Sequence, residues 1–517
     1  MTRHHDESGS EISTATLRDA LDRAGLLVDV AGELPATVTG VSDDSRRITP
    51  GALFVAVRGS VHDGHDHLAG AAAAGAAMAI VEEPGRTALP QLVVRDGRRA
   101  AAIAAAEAYG RPAERLALIA VTGTNGKTTT VGMLRHLLDS PERPAASIGT
   151  LGVLVGGEAR PLPGGAGLTT PGPVELQRVL RALVDAGVAT VAMEVSSHSL
   201  DQRRVDGLLF VAAVFTNFTR DHLDYHETME AYFLAKARLV AQLDADGVAV
   251  VNADEEAWRE LLPAGRTVRF SGLGTPDAEV AAEGPRYGPR GTECTLRFGP
   301  ERVPARVPLV GDFNVVNACG AAAAAWALGH APAQIAERLA TLPQVPGRLE
   351  VLSERPLVLR DYAHTPDALE RAVRAVRPFV AGRLLLVFGC GGDRDRGKRP
   401  EMGRIAAREA DVVYVTSDNP RTEDPERILD DIIAGMDGAP CERIEDRRAA
   451  IAAAIAAADP RRDAVLLAGK GHETYQIRGT TRLPFDEAAI VRELTAALPR
   501  PAGPADASHP SGGEGTA

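Results

Sequence analysis

The run Gly123-Thr124-Asn125-Gly126-Lys127-Thr128-Thr129 follows the apolar stretch Leu116 to Val121 and opens a helical pattern through Val131, Met133, Leu134, Leu137 and Leu138. A strand, a glycine turn and a helix in that order suit phosphate. Successive backbone N–H groups and the helix N-terminus face anionic oxygens, Lys127 neutralises β/γ-phosphate charge, and the Thr128 hydroxyl can ligate Mg²⁺. The chain is therefore expected to bind ATP with Mg²⁺. The loop is a shortened variant, because Val121 stands where the full pattern places its first glycine.

Two acid and imidazole clusters follow near expected strand ends, Glu194-Val195-Ser196-Ser197-His198 and Thr216-Asn217-Phe218-Thr219-Arg220-Asp221-His222-Leu223-Asp224-Tyr225-His226. In an open α/β sheet the carboxyl ends of strands face the ligand crevice, so Glu194 and His222 are read as Mg²⁺ ligands beside Thr128. Imidazole is an unusual ligand for so hard a cation, and hydrogen bonding within the loop is an equal alternative for His222 and His226 on the residues alone. Lys236, in a helical segment, reads by itself as a solvated surface charge. His62, His65 and His67 alternate with Asp63, Gly64 and Asp66 and suit a polar loop better than a metal cluster.

Further along, four expected strand ends carry polar, glycine-rich turns: Asp361-Tyr362-Ala363-His364-Thr365-Pro366, Gly389-Cys390-Gly391-Gly392-Asp393-Arg394-Asp395, Ser417-Asp418-Asn419-Pro420-Arg421 and Ala468-Gly469-Lys470-Gly471-His472-Glu473. Purely structural loops would rarely supply four such turns together.

The elements that must hold these residues follow from composition and rhythm. At 517 residues and 45% hydrophobic content the chain has apolar surface for two to four cores. Alanine-rich helical stretches such as Ala69 to Ala79 and Ala100 to Ala108 alternate with short β-branched runs, the pattern of βαβ units. The fold class is α/β in three domains. A first domain spans residues 15–115, with strands at Leu53 to Val57 and Ala79 to Val81; a central ATP-binding domain on a mostly parallel sheet spans 116–346. A doubly wound, Rossmann-like domain spans 347–498, with strands near Leu357, Leu384, Val412 and Val465. Residues 1–14 and 499–517 are too polar or too rich in Pro, Gly and Ser to be buried and are expected to be disordered.

A net charge of -12 argues against general nucleic-acid binding, so anionic ligands must be gripped by placed Arg, Lys and N–H groups. No apolar run approaches ~18 residues and the N-terminus is too polar for a secretory signal, which points to a cytoplasmic protein without membrane contact, read as a monomer. Cys294, Cys319, Cys390 and Cys441 are dispersed and read as free buried thiols.

Taken in order from about Val41 to Leu498, these motifs resemble the Mur ligase family. The resemblance implies ATP-dependent transfer through an acyl phosphate, adding meso-2,6-diaminopimelate to the D-glutamate γ-carboxylate of UDP-N-acetylmuramoyl-L-alanyl-D-glutamate in peptidoglycan precursor synthesis. It gives the first domain the UDP-sugar, the second ATP and the third the incoming amino acid. By motif, Ser45 and the turn at Ser60 would contact the uridine nucleotide, and Thr169, Thr170, Ser196, Gln202 and Arg204 the muramoyl-dipeptide. Leu168 stands before the threonine pair where related enzymes can carry asparagine. The resemblance also reverses the reading of Lys236, which the family carbamoylates into an oxygen anion able to face Mg²⁺. Asn317 and Arg348 would contact adenine and phosphate.

The far carboxylate of diaminopimelate would pair with Arg421 of Asp418-Asn419-Pro420-Arg421, assisted by Asn419 of the same turn and by Arg394. Gly469 and Glu473 would complete that pocket, Glu473 accepting the far ammonium, and His364 would orient the amine or take its proton. Competing readings are a lysine-adding or folylpolyglutamate-type ligase and, from another class, a nucleotide-gated binding protein that forms no amide.

Overall fold

A computed structural model describes residues 11–497 apart from 60, 61, 166, 262 and 264, and so leaves residues 1–10 of the expected N-terminal tail and the expected tail 499–517 outside the described residues. The chain divides into two compact units, Met1–Val345 and Pro346–Ala517.

The first unit holds two principal sheets. Its five-stranded sheet runs in the order Leu27–Ala31, Gln91–Val94, Met78–Val81, Leu53–Val55 and Val41–Ser42, parallel except for the first pair. Helix Gly97–Ala108 packs on it through Ala100, Ala101 and Ala104, whose small side chains let the backbones approach closely. Asp96 caps that helix by accepting the Arg99 N–H at 3.0 Å. Two expectations shift here. The helix expected over Ala69 to Ala79 stops at Ala73, because Gly75 turns the chain at φ 95° and Met78–Val81 finds a fully buried place in the sheet. Residues 11–14 belong to the fold rather than to a disordered tail: Ile12–Ser13 pairs with Thr37–Val38, and Thr14 is buried at the start of helix Thr14–Arg23.

The second sheet of this unit has eleven strands. Its middle is parallel, Ala145–Gly149, Thr190–Glu194, Ala117–Thr122, Phe210–Phe215, Leu243–Asn252, Arg266–Ser271 and Val280–Gly288 in that order, and antiparallel strands extend both ends. Strand periodicity splits each strand between two cores. Ile119 and Val121 face Met133, Leu134 and Leu137 of helix Lys127–Leu138, whereas Leu118 and Ala120 face Leu176, Val179 and Leu183 of helix Pro173–Asp185. Each such Leu, Ile or Val stabilises the sheet by about 1.5–3 kcal/mol relative to exposure.

The second unit is a six-stranded sheet in the order Glu350–Glu354, Leu357–Asp361, Ala464–Ala468, Leu384–Phe388, Val412–Val415 and Glu442–Arg443, parallel except at the first pair. Leu385, Val387, Val465 and Leu467 pack with helix Arg447–Ala457, while Pro366–Val376, Lys398–Glu409 and Pro425–Ala434 lie side by side as a further layer. All four polar turns noted above leave carboxyl ends of this sheet. Among the described residues no helix is long and apolar enough to cross a membrane.

Candidate active site at the sheet edges

Strands Thr190–Glu194, Ala117–Thr122 and Phe210–Phe215 are parallel neighbours in register, with Val121 opposite both Glu194 and Val214. The turns that leave their carboxyl ends are thereby held side by side. Gly123 sits at φ 144°, where a Cβ would lie 1.9 Å from Thr216 Oγ1, and that hydroxyl donates to the Asn125 carbonyl at 2.7 Å. Gly126 sits at φ 85°, where a Cβ would lie 2.3 Å from Asn317 Oδ1, so Asn317 of helix Asp312–Ala327 packs directly on the turn. Lys127 Nζ donates to the carbonyls of Gly123 and Thr124 at 3.0 and 2.9 Å.

One expectation for this turn is corrected. The N–H of Thr124 donates to the Asn217 carbonyl at 2.9 Å and that of Asn125 to Asn217 Oδ1 at 2.7 Å, because the neighbouring strand end must satisfy the buried turn. The turn runs into the N-terminus of helix Lys127–Leu138, with Thr128 and Thr129 buried in its first turn, an end whose N–H groups and partial positive charge suit an anion.

Lys236 is the second correction. The bare-sequence reading put it in solvent, yet it is 1% exposed, stands 4.5 Å from the Tyr232 ring centre and donates from Nζ to the Gly123 carbonyl at 2.8 Å. Burial, reinforced by the nearby Lys127 charge, pushes its ammonium well below the ordinary lysine range, with Asp221 opposing. The amphipathic pattern missed it because helix Met229–Ala237 lies against the phosphate turn, where Nζ meets the Gly123 carbonyl rather than water.

His222 occupies a left-handed backbone position at φ 53° and its N–H donates to Asp221 Oδ1 at 2.8 Å. Its ring lies 4.7 Å from that of His198, which lies 5.4 Å from His226. His226 is tied to Ser197 Oγ at 2.9 Å. Burial, with the neighbouring imidazoles adding to it, pulls His198 down to about 4. Glu194 is buried and gives both carboxylate oxygens to Thr150, accepting its N–H at 2.8 Å and its hydroxyl at 3.3 Å.

The dipeptide-binding candidates form one hydrogen-bonded cluster beside this edge. Thr170 donates to the Glu194 carbonyl at 2.8 Å and accepts the Ser196 N–H at 3.1 Å, and Thr169 meets the Thr150 hydroxyl at 3.4 Å. Arg204 donates to the Thr170 carbonyl at 2.9 Å and twice to Gln202 Oε1, whose amide reaches the Tyr225 hydroxyl at 3.2 Å. Leu168 is 48% exposed. Ser45 opens a short turn capped by Asp44, and Ser60 lies outside the described residues. His65 is buried between Asp63 Oδ1, 2.6 Å from Nδ1, and the Glu82 N–H, 2.9 Å from Nε2, which is the work of a loop. Three cysteines are buried; Cys441 is partly exposed, against expectation, because it lies at the short sheet-edge strand Glu442–Arg443.

Mg²⁺ takes oxygen donors, commonly one or two carboxylates plus substrate phosphates. Among the described residues no three His, Cys, Asp or Glu side chains converge as a cage. The Thr128 hydroxyl and Glu194 carboxylate fit such a partial set, His222 fits it poorly by softness, and Lys236 fits only once its amine carries a carboxyl group.

In the second unit, Asp418 and Asn419 are 6% exposed, and Lys470 is fully buried between them and Glu473. Arg421 holds a left-handed conformation at φ 51°, donating from one guanidinium nitrogen to the Gly392 carbonyl at 2.8 Å and from its N–H to the Ile477 carbonyl at 3.1 Å. Arg394 is exposed in the adjoining turn, with its Cγ 3.7 Å from where a Gly391 Cβ would stand. Pro420 is buried beside Gly392, and Gly469 turns at φ 116° next to Asp418. His364 is exposed, its Nδ1 2.8 Å from the Tyr362 carbonyl, and Arg348 lies over the Tyr362 ring at 5.0 Å. Sequence reasoning passed over Asn217, Thr150 and Lys470. Asn217 and Lys470 stood inside quoted motifs at strand ends, the signal that could have found them; Thr150 carried none.

Three family descriptions match the chain: "Mur ligase family, catalytic domain" over residues 37–119, "Mur ligase middle domain" over 121–325 and "Mur ligase, glutamate ligase domain" over 347–471. A UDP-N-acetylmuramoyl-L-alanyl-D-glutamate--2,6-diaminopimelate ligase of Synechococcus elongatus is 49% identical over 476 residues, 88% of this chain and 93% of that protein. One of Gloeobacter violaceus is 44% identical over 484 residues, 92% and 97% of the two chains. A solved structure of a ligase of that name is similar with a TM-score of 0.67 at 33% identity, covering 94% of this chain and 99% of the other. With its α/β sheets, phosphate turn and domain order all in agreement, this chain belongs to the Mur ligase family.

Proposed function

We propose that this chain is an ATP-dependent amide ligase that joins meso-2,6-diaminopimelate to the D-glutamate γ-carboxylate of UDP-N-acetylmuramoyl-L-alanyl-D-glutamate, releasing ADP and phosphate. The names of its relatives support the substrates. The observation that carries the reaction class is the juxtaposition at one sheet edge. The phosphate turn leaves Ala117–Thr122, and the Thr170, Ser196, Gln202 and Arg204 cluster surrounds the end of the adjacent strand Thr190–Glu194. A triphosphate and a carboxylate held on neighbouring strands can meet.

In this reading the N-terminus of helix Lys127–Leu138 and the Lys127 ammonium hold the β/γ-phosphates, drawing Lys127 from its present carbonyl partners. Arg204 and Thr170 orient the dipeptide so that its γ-carboxylate oxygen takes the γ-phosphoryl group as the bond to the β-phosphate oxygen breaks. The diaminopimelate amine then attacks the acyl carbon, phosphate departs, and His364 takes the proton lost by the amine. Bound Mg²⁺, held through Thr128, Glu194, His222 and Lys236 as its carbamate, would neutralise phosphate charge. The depressed ammonium of Lys236 favours the neutral amine that reacts with carbon dioxide. Asn317 and Arg348 are assigned to the nucleotide, Ser45 to the uridine end, and Arg421, Arg394, Asn419 and Glu473 to the far end of diaminopimelate.

Incubation with the UDP-muramoyl-dipeptide, ATP, Mg²⁺ and, side by side, diaminopimelate, lysine or glutamate tests this. A product heavier by one diaminopimelate residue is expected; phosphate release equally fast without any amine would overturn it.

A further inference from the structure

We propose that Lys470 is a positioning residue that sets the choice of amine substrate, an inference that rests on the diaminopimelate reading above. Its ammonium is fully buried and faces three oxygens: Asn419 Oδ1 at 3.1 Å, Glu473 Oε2 at 3.2 Å and Asp418 Oδ1 at 3.4 Å. The Asn419 amide cannot turn over, because Oδ1 also accepts the Ile477 N–H at 2.9 Å while Nδ2 donates to Glu473 Oε2 at 2.8 Å. Lys470 and Asn419 therefore occupy one carboxylate oxygen of Glu473 twice. Among the described residues nothing bonds the other oxygen, Oε1, which is the one left for a ligand.

Two consequences follow. Lys470 fixes the direction in which Glu473 presents Oε1, acting on the substrate through that carboxylate. It also places a positive charge beneath Asp418 and Glu473, offsetting part of their attraction for cations. The far end of diaminopimelate is a zwitterion and gains little from an unopposed carboxylate pair. The far end of lysine is a bare cation and gains much. Lys470 thus both aims the pocket at the zwitterion and holds down its affinity for lysine.

The test is steady-state kinetics of Lys470→Met with diaminopimelate and with lysine, alone and in a Glu473→Gln background, with wild-type turnover of diaminopimelate as the check on the underlying reading. K470M should raise KM for diaminopimelate about 30-fold, leave KM for ATP within about threefold, and lower the diaminopimelate-to-lysine ratio of kcat/KM at least about tenfold. With Glu473→Gln already present, the same change should move that ratio less than about threefold, because Glu473, the group that faces the ligand, has lost its charge and only the offset of Asp418 remains. Lys470→Arg, which keeps the charge, should hold the ratio near wild type. If K470M does not fold, Lys470→Gln gives the same reading, since its amide keeps a donor and loses the charge. Equal losses for both amines, or an effect undiminished by Glu473→Gln, would overturn the proposal. Absence of diaminopimelate turnover by the wild type would instead overturn the functional reading.

Discussion

Replacing Gly126 by alanine probes the fit between the phosphate turn and helix Asp312–Ala327. The residue has φ 85° and ψ -13°, in the left-handed region, where a Cβ costs about 1–2 kcal/mol. The new Cβ would stand 2.3 Å from Asn317 Oδ1, against an ordinary contact of 3.4 Å or more, so Asn317 must retreat by about 1 Å. It is 6% exposed and donates from Nδ2 to Asn314 Oδ1 at 3.3 Å, and losing that bond costs about 1 kcal/mol more. The total is about 2–3 kcal/mol, read as a lower midpoint in urea unfolding and a weaker titration with a non-hydrolysable ATP analogue. In an Asn317→Ala background the clash disappears and only the backbone strain should remain, a coupling of about 1 kcal/mol. Gly25→Ala supplies the reference for strain alone, since Gly25 has φ 67° with nothing within 4 Å of its Cβ position. Equal costs for Gly126→Ala in both backgrounds would refute the claim that Asn317 packs on the turn.

Four further outcomes are expected. Lys236→Met should fold, since the side chain is buried beside Tyr232, yet lower kcat about 10²–10³-fold with near-normal ATP-analogue binding; full activity would remove Lys236 from the mechanism. Arg421→Ala should lose about 3 kcal/mol, roughly 10²-fold, in kcat/KM for diaminopimelate while KM for ATP stays within about threefold, and matched losses would argue against a carboxylate contact. Arg447→Met strands the fully buried Glu487 carboxylate, paired at 2.8 Å, and should cost about 3–5 kcal/mol by chemical unfolding, most of it recovered in Arg447→Met/Glu487→Met. His198 is held neutral by burial, with its value lowered from 6.5 to about 4, so on acidification the unfolded chain takes its proton first. The stability this lends is present above pH 6.5 and lost down to about pH 4; the full shift carries about 3 kcal/mol, cut to roughly 2 by the water that reaches the half-buried ring. His198→Asn should flatten that part of a Tm-against-pH curve, and an unchanged slope would show that His198 does not contribute.

Local chemistry was legible in the chain itself. The phosphate turn, the strand before it and the helix after it follow from short-range rules: an apolar β-branched run, glycines where positive φ is needed, and a 3.6-residue apolar rhythm. The four turns of the second unit were equally visible, because each immediately follows a strand that a run of Leu, Val and Phe had already announced. What lay beyond reach was any property set by residues distant in sequence. Lys236 reads as a surface lysine until helix Met229–Ala237 is laid on the Gly123 carbonyl, 113 positions away. Asn217 becomes the partner of the phosphate turn only because strand Phe210–Phe215 is the neighbour of Ala117–Thr122. Lys470 gains its role from Asp418 and Asn419 on another turn. Propensity and periodicity depend on a few neighbouring residues, whereas burial of a charge and the choice of its partner depend on which strands lie side by side, and only the folded sheets decide that.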